Sequence, residues 1–297
     1  MAIGTFRSDE AQGAYVSAYT QAMSEIESPT QTLDIATEYG SVRAYVWAND
    51  AAPEPPVLLL PGRSSGVPMW QENLPDLLPH RSVIAIDALG DAGLSVQTQP
   101  LKSLTDQAAW VDQTLSALGV ERAHVVGHSF GGATAAAYAV HFPGRTASLA
   151  LLEPVFTLAW PPVSTFLWTT VASLPVPQLW RDQALARIGG VELSDIRKRT
   201  PLSDMIAAAS KGYRASLPMP RLLTDQQFTV LTMPIYIAIA DSSSLAGGAR
   251  AARRGRLIPH AQVEVWSDTT HSLPMQVHEA LAERLLTFWA TADGASR

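Results

Sequence analysis

Val125-Val126-Gly127-His128-Ser129-Phe130-Gly131-Gly132 is the stretch from which the architecture can be read. An apolar run, Ala123 to Val126, leads into it, and a small-residue run, Ala133 to Val140, leads away. That order is strand, sharp turn, helix. Gly127 and Gly131 flank Ser129 in the spacing G-x-S-x-G. The requirement is steric: a serine at the tip of so tight a turn has strained backbone angles, and strand and helix can pass closely only where the flanking residues lack side chains. The amide of Phe130 opens the helix and points to where negative charge on an oxygen would collect. A glycine-rich turn that merely packs has the same five-residue pattern, so the remaining chain must supply the partners of Ser129.

Outward from this stretch, Val57-Leu58-Leu59-Leu60, Val83 to Ile86, Ala147 to Leu152 and Ile235 to Ile239 are continuous apolar runs, the mark of strands buried on both faces of a parallel sheet. The first three end on Pro61-Gly62, Asp87 and Glu153-Pro154. Helices are predicted over Trp70–Leu78 and from a Ser103 or Thr105 cap to Leu118, with Gly119 as stop. Strands alternating with helices require right-handed crossovers onto one sheet. Residues 9 to 27 have a weak helical pattern. Thr32 to Tyr39 and Val42 to Trp47 form a predicted hairpin turning at Gly40-Ser41. A helix over Leu245–Arg254, a strand from Gln262 to Trp266 and an amphipathic helix from Met275 to Trp289 close the chain. The expected class is α/β with a mostly parallel, doubly wound sheet. From 155 to 225 prolines punctuate helical pieces carrying Phe156, Trp160, Phe166, Trp168 and Trp180, with no strand pattern. This segment is the expected helical cap, inserted into a core made of residues 1–154 and 226–297.

The chain has 297 residues, 47% hydrophobic and 16% charged, which describes a globular protein with a large core. A net charge of −6 disfavours nucleic acid as a partner. Arg250, Arg253, Arg254 and Arg256 read as one solvated helix end. With no cysteine, disulfides and thiolate metal sites are excluded. No metal or cofactor is implied. The first ten residues have no charged-then-apolar signal pattern, and no stretch approaches the roughly 20 apolar residues that span a bilayer. The expectation is a soluble cytoplasmic protein without a membrane partner; nothing readable specifies its oligomeric state.

A serine hydroxyl needs a base to take its proton and an acid to orient that base. Of seven histidines, His128 is too close in sequence to face Ser129, His124 is mid-strand, His141 ends a helix, and His80, His260 and His278 read as exposed. His271 follows the last strand in a short polar loop, Ser267-Asp268-Thr269-Thr270. The carboxyl end of a parallel strand shares its rim with the turn at Ser129, where open α/β sheets bind ligands.

With these parts assembled, the chain resembles the α/β-hydrolase fold family, in particular its capped, esterase-like and dehalogenase-like members. Leu58-Leu59-Leu60-Pro61-Gly62 stands where the family has apolar residues before His-Gly. Asp87 to Ser95 is similar to its D-x-x-G-x-G-x-S loop with one extra residue, and Gly127 to Gly132 matches its nucleophile elbow. The resemblance covers about residues 30 to 154 and 230 to 292 and implies a Ser129–His271 pair. For the acid it leaves alternatives. The family often has G-x-x-D after the strand ending at Ile239, but here serine occupies the usual acid register and Asp241 lies two residues early. A subset resembling some haloalkane dehalogenases takes its acid from the strand after the elbow helix, which here gives Glu153. Asp268, or no acid at all, is the remaining alternative.

The resemblance further implies an oxyanion hole made by the amides of Phe130 and Arg63, and Trp70, Phe156 and Trp160 are the expected substrate-lining aromatics. Asp87 and Asp91 are expected to hold loops. The implied activity is hydrolysis of an ester of a small hydrophobic substrate through an acyl-enzyme on Ser129. Its rivals are a non-hydrolytic reaction on the same residues (lyase, acyl transfer or cyclisation) and a non-catalytic ligand-binding protein.

Overall fold

A computed structural model describes residues 2–163, 165, 168, 176–189, 192–194 and 198–295. Among these residues the strands are β1 (Thr5–Phe6), β2 (Gln31–Thr37), β3 (Gly40–Trp47), β4 (Val57–Leu60), β5 (Val83–Ile86), β6 (Val96–Gln97), β7 (Ala123–His128), β8 (Thr146–Leu152), β9 (Tyr213–Arg214), β10 (Ile235–Ala240) and β11 (Ala261–Trp266). The helices are α1 (Asp9–Met23), α2 (Leu74–Leu77), α3 (Leu104–Ala117), α4 (Phe130–His141), α5 (Gln178–Gly189), α6 (Pro201–Gly212), α7 (Asp225–Val230), α8 (Ala249–Gly255), α9 (Leu273–Gln276) and α10 (His278–Ala295). Nine of the strands form one sheet in the order β11-β10-β8-β7-β4-β5-β3-β2, with β6 on β3. β4, β5, β7, β8, β10 and β11 run parallel; β2, β3 and β6 are antiparallel additions.

The apolar runs behave as a two-sided core requires. Leu58, Leu60, Val125, Leu149, Leu151, Ile235 and Ile237 point into one cluster with Trp110, Val111 and Tyr138. Val57, Leu59, Val126, Ala150, Leu152 and Tyr236 point to the other face, against Tyr15, Leu285 and Trp289. Each fully buried Leu or Ile contributes roughly 1.5–3 kcal/mol relative to exposure. α3 starts at an Ser103 cap whose hydroxyl accepts the Asp106 N–H, so the capping signal in the sequence is the one used.

The strand order positions the site. From β4 the chain steps to β5 on one side and then crosses back to β7 on the other, after which it proceeds outward through β8, β10 and β11. β4 and β7 are therefore the switch point, and the loops at their carboxyl ends diverge to leave a crevice. Those loops begin at Pro61 and Ser129.

Three sequence expectations need correction. The hairpin turns at Glu38-Tyr39, with Thr37 paired to Gly40. Thr37 Oγ1 closes that turn by donating to the Gly40 carbonyl (2.8 Å). Gly40 is reserved for a different purpose, because a Cβ there would overlap the Val96 carbonyl of β6. The segment 155–225 contains a strand: β9 pairs antiparallel with β1, and the adjoining α6 buries Met205 and Ala209 in the same cluster as Tyr15 and Tyr19 of α1. The helix expected from Leu245 begins at Ala249, for a reason found at the site. Phe166 lies outside the described residues. No helix among the described residues is long and apolar enough to cross a membrane.

Candidate active site

The turn after β7 is as tight as its glycines require. Ser129 has φ 56° and ψ −120°, outside the ordinary regions for a residue with a side chain. A Cβ at Gly127 would overlap the Gly131 carbonyl, one at Gly131 would overlap the Leu60 and Pro61 carbonyls, and one at Gly132 would lie 2.9 Å from Pro154 Cβ. The strained serine is stitched in place from both sides: its N–H donates to the Leu152 carbonyl (3.1 Å), and its own carbonyl accepts the Val155 N–H (3.2 Å).

His271 and Glu153 meet at this turn. Ser129 Oγ lies 3.0 Å from His271 Nε2, and His271 Nδ1 lies 3.1 Å from Glu153 Oε2. A carboxylate only accepts, so Nδ1 carries the proton and Nε2 is left as the acceptor facing the hydroxyl. Glu153 is fully buried. Such a charge needs donors, and here it has a cradle. Oε1 accepts the Ala240 N–H and the Ser244 hydroxyl, both at 2.8 Å. Oε2 accepts the Leu245 N–H (3.0 Å) and the Ala246 N–H (3.3 Å) besides the imidazole. These amides explain the late start of α8. Residues 244–246 turn toward the carboxylate instead of entering the helix.

Asp241 is exposed; its backbone N–H bonds to the Trp266 carbonyl (3.1 Å), and the carboxylate at His271 is that of Glu153. Asp268 is also exposed. The alternative acids are thus not brought to the imidazole.

His128 is a contributor that sequence reasoning set aside. Its Nε2–H donates to the His271 carbonyl (2.9 Å), and the two rings lie 4.8 Å apart. Burial first, and then the charge His271 can carry, push its pKa down to about 3, so the ring is neutral and the loop holding His271 is tied by an uncharged donor. Ser244 and the amides of 240, 245 and 246 were likewise unread; the one available signal was that a buried Glu153 had to find donors on the neighbouring strand end.

Gly62 lies against the serine, since a Cβ there would sit 3.3 Å from Ser129 Cβ. Among the described residues the amides of Phe130 and Arg63 have no hydrogen-bond partner. The Arg63 side chain is exposed, with its guanidinium 5.5 Å from the Phe130 ring centroid. Phe156 meets Phe130 edge-on at 6.0 Å and Trp160 at 5.5 Å, so three rings lead from the residue after Ser129 to an exposed indole. Trp70 departs from expectation: it is 1% exposed and packs in the core with Met69 and Leu74, where its ring serves stability. A cavity of about 20 Å³ beside Arg63, Asp91, Phe130 and Leu217 has room for about one water.

Asp87 and Asp91 hold loops, as expected. Asp87 accepts the Val67 N–H (2.9 Å), the Tyr19 hydroxyl (3.1 Å) and the Leu94 N–H (2.7 Å), and burial pushes it up to about 6.

Comparison with known proteins agrees with this architecture. The sequence profile described as alpha/beta hydrolase fold matches residues 55–190. This is an α/β-hydrolase fold. The chain is similar to the uncharacterized carboxylesterase nap of Bacillus subtilis (strain 168), 25% identical over 95% of this chain and 94% of that protein. It is also similar to carboxylesterase YbfK of the same organism, 23% identical over 92% and 93%. The crystal structure of naproxen esterase (carboxylesterase NP) from Bacillus subtilis superposes with a TM-score of 0.84 at 22% identity, covering 95% of this chain and 99% of that one.

Proposed function

We propose that the protein is a serine hydrolase that cleaves an ester of a small hydrophobic substrate through an acyl-enzyme on Ser129, with His271 as base, Glu153 as its orienting acid and residues 155–225 as a cap over the site. The observation that carries this reading is the unbroken chain from the Ser129 hydroxyl to His271 and on to a fully buried carboxylate. The carboxylesterases that this chain resembles along nearly their whole length add to it.

In this mechanism His271 Nε2 takes the hydroxyl proton as Ser129 Oγ attacks the ester carbonyl carbon. Glu153 accepts the Nδ1–H throughout and stabilises the imidazolium. The carbonyl π pair moves onto oxygen, and that oxyanion accepts the Phe130 and Arg63 N–H groups; losing one such donor costs on the order of 3 kcal/mol in barrier. Collapse expels the alcohol, which takes the proton back from His271. Water then attacks the acyl-serine by the same route, releasing the acid and restoring Ser129. An aspartate nucleophile would open haloalkanes or epoxides; a serine directs the chemistry to acyl groups. Phe130, Phe156 and Trp160 favour an apolar or aromatic portion of the substrate.

The test is fluorophosphonate labelling with mass mapping, run beside turnover of p-nitrophenyl esters. The expected result is a label on Ser129, release of p-nitrophenol by wild type, and neither in Ser129→Ala. Labelling without turnover on any ester would favour acyl transfer or another non-hydrolytic reaction. Absence of both would refute the proposal.

A further inference from the structure

Three consecutive amides leave the end of β4. The N–H of Gly62 donates to Met69 Sδ (3.1 Å), and the N–H of Ser64 donates to Asp91 Oδ2 (2.7 Å). Between them, the N–H of Arg63 has no partner among the described residues. From this geometry we infer that Asp91 is a positioning residue: its carboxylate fixes the Arg63–Ser64 peptide plane, while Met69 holds the Pro61–Gly62 plane, and the Gly62–Arg63 peptide clamped between them presents the Arg63 N–H to the oxyanion.

The inference rests on the reading of Ser129 and Arg63 given above. It adds a cause for the orientation of the second donor. Ser64 has φ 60°, a left-handed conformation that a residue with a side chain leaves unless it is held. The holder is built for this purpose. Asp91 is 3% exposed and its Oδ1 accepts the Ala92 N–H (2.8 Å); burial raises its pKa, opposed by the Ser64 and Ala92 amides and then by the Arg63 charge. Asp87 secures the far end of the same loop through the Val67 N–H. Pro61 stands where the family this chain resembles usually has a histidine. Proline has no polar side chain with which to organise the loop, and the carboxylate of Asp91 does so from the neighbouring loop after β5.

The experiment compares wild type, Asp91→Ala and Asp91→Asn on p-nitrophenyl acetate. Rates are expressed per Ser129 titrated with a fluorophosphonate, and phenylboronic acid serves as a tetrahedral mimic whose oxygen occupies the oxyanion position. In Asp91→Ala, kcat per titrated site falls about tenfold or more while KM stays within about threefold, and boronate affinity falls by a comparable factor. Asp91→Asn is isosteric but offers one acceptor to two amides, so it falls between the two. If Asp91→Ala does not fold, the asparagine variant decides. Unchanged kcat per titrated site, or a kcat loss with boronate affinity intact, overturns the inference while leaving the serine mechanism standing. A wild type that neither labels nor turns over removes both.

Discussion

Replacing Glu153 by glutamine tests the assignment of the acid, and its effect can be worked from the cradle. The carboxylate receives two donors on Oε1 and three on Oε2. An amide has one oxygen, so its NH2 must face one of these sets. With the NH2 toward His271, Nδ1 becomes the acceptor, the proton moves to Nε2, and the ring can no longer take a proton from Ser129. With the NH2 toward Ala240, that buried N–H loses its acceptor at a cost of roughly 1–3 kcal/mol, and the imidazolium loses its counter-charge in either case. Together these give a fall in kcat on the order of 10³ to 10⁴, or about 4–5.5 kcal/mol of barrier. Asp241→Asn should stay within about twofold, because only an exposed charge is lost while the backbone bond to Trp266 remains. The assay is steady-state hydrolysis of a p-nitrophenyl ester with thermal unfolding as a folding control. A Glu153→Gln enzyme within tenfold of wild type, or an Asp241→Asn enzyme crippled beyond it, refutes the assignment.

Two further predictions concern pH. Burial holds Asp87 at about 6, above the ordinary aspartate value. Between about pH 4 and 6 the native state therefore binds more protons than the unfolded one, and stability falls as pH rises, by about 3 kcal/mol from this group. Urea unfolding of Asp87→Asn across that window should lack this slope; a curve parallel to wild type rejects it. His128 has the opposite sign, since it is held at about 3 and must stay neutral to remain folded. Its contribution is present above about pH 6.5 and is lost as pH falls toward 3. His128→Phe, which keeps an aromatic ring beside His271, should lose less stability than wild type on acidification from 6.5, and an equal or steeper loss would contradict the pKa.

What was legible in the sequence is what strict sterics or two-sided burial controls. Gly127 and Gly131 were readable because nothing larger fits between Ser129's strand and helix, and Leu58-Leu59-Leu60 because both faces of β4 are covered. His271 was found by topology: the carboxyl end of the last strand must reach the same rim. Interactions that depend on the third dimension were not readable. Gly40 looked like a turn residue and is spared a Cβ for the sake of β6. Trp70 looked like a pocket wall and is core, because an aromatic stripe has the same appearance in either place. Leu245 and Ala246 have helical neighbours in sequence, yet their amides go to Glu153.

That last displacement shows why an acid cannot migrate along the rim by itself. A carboxylate at the end of β8 is covered by the loop that follows β10, its neighbour in the sheet. Left without donors there, its charge would cost more than any orientation of His271 could return. The β10 loop accordingly turns Ser244, Leu245 and Ala246 inward as donors to Glu153 before glycines at 247 and 248 with positive φ release the chain into α8. Glu153 and the 240–248 loop are therefore one device.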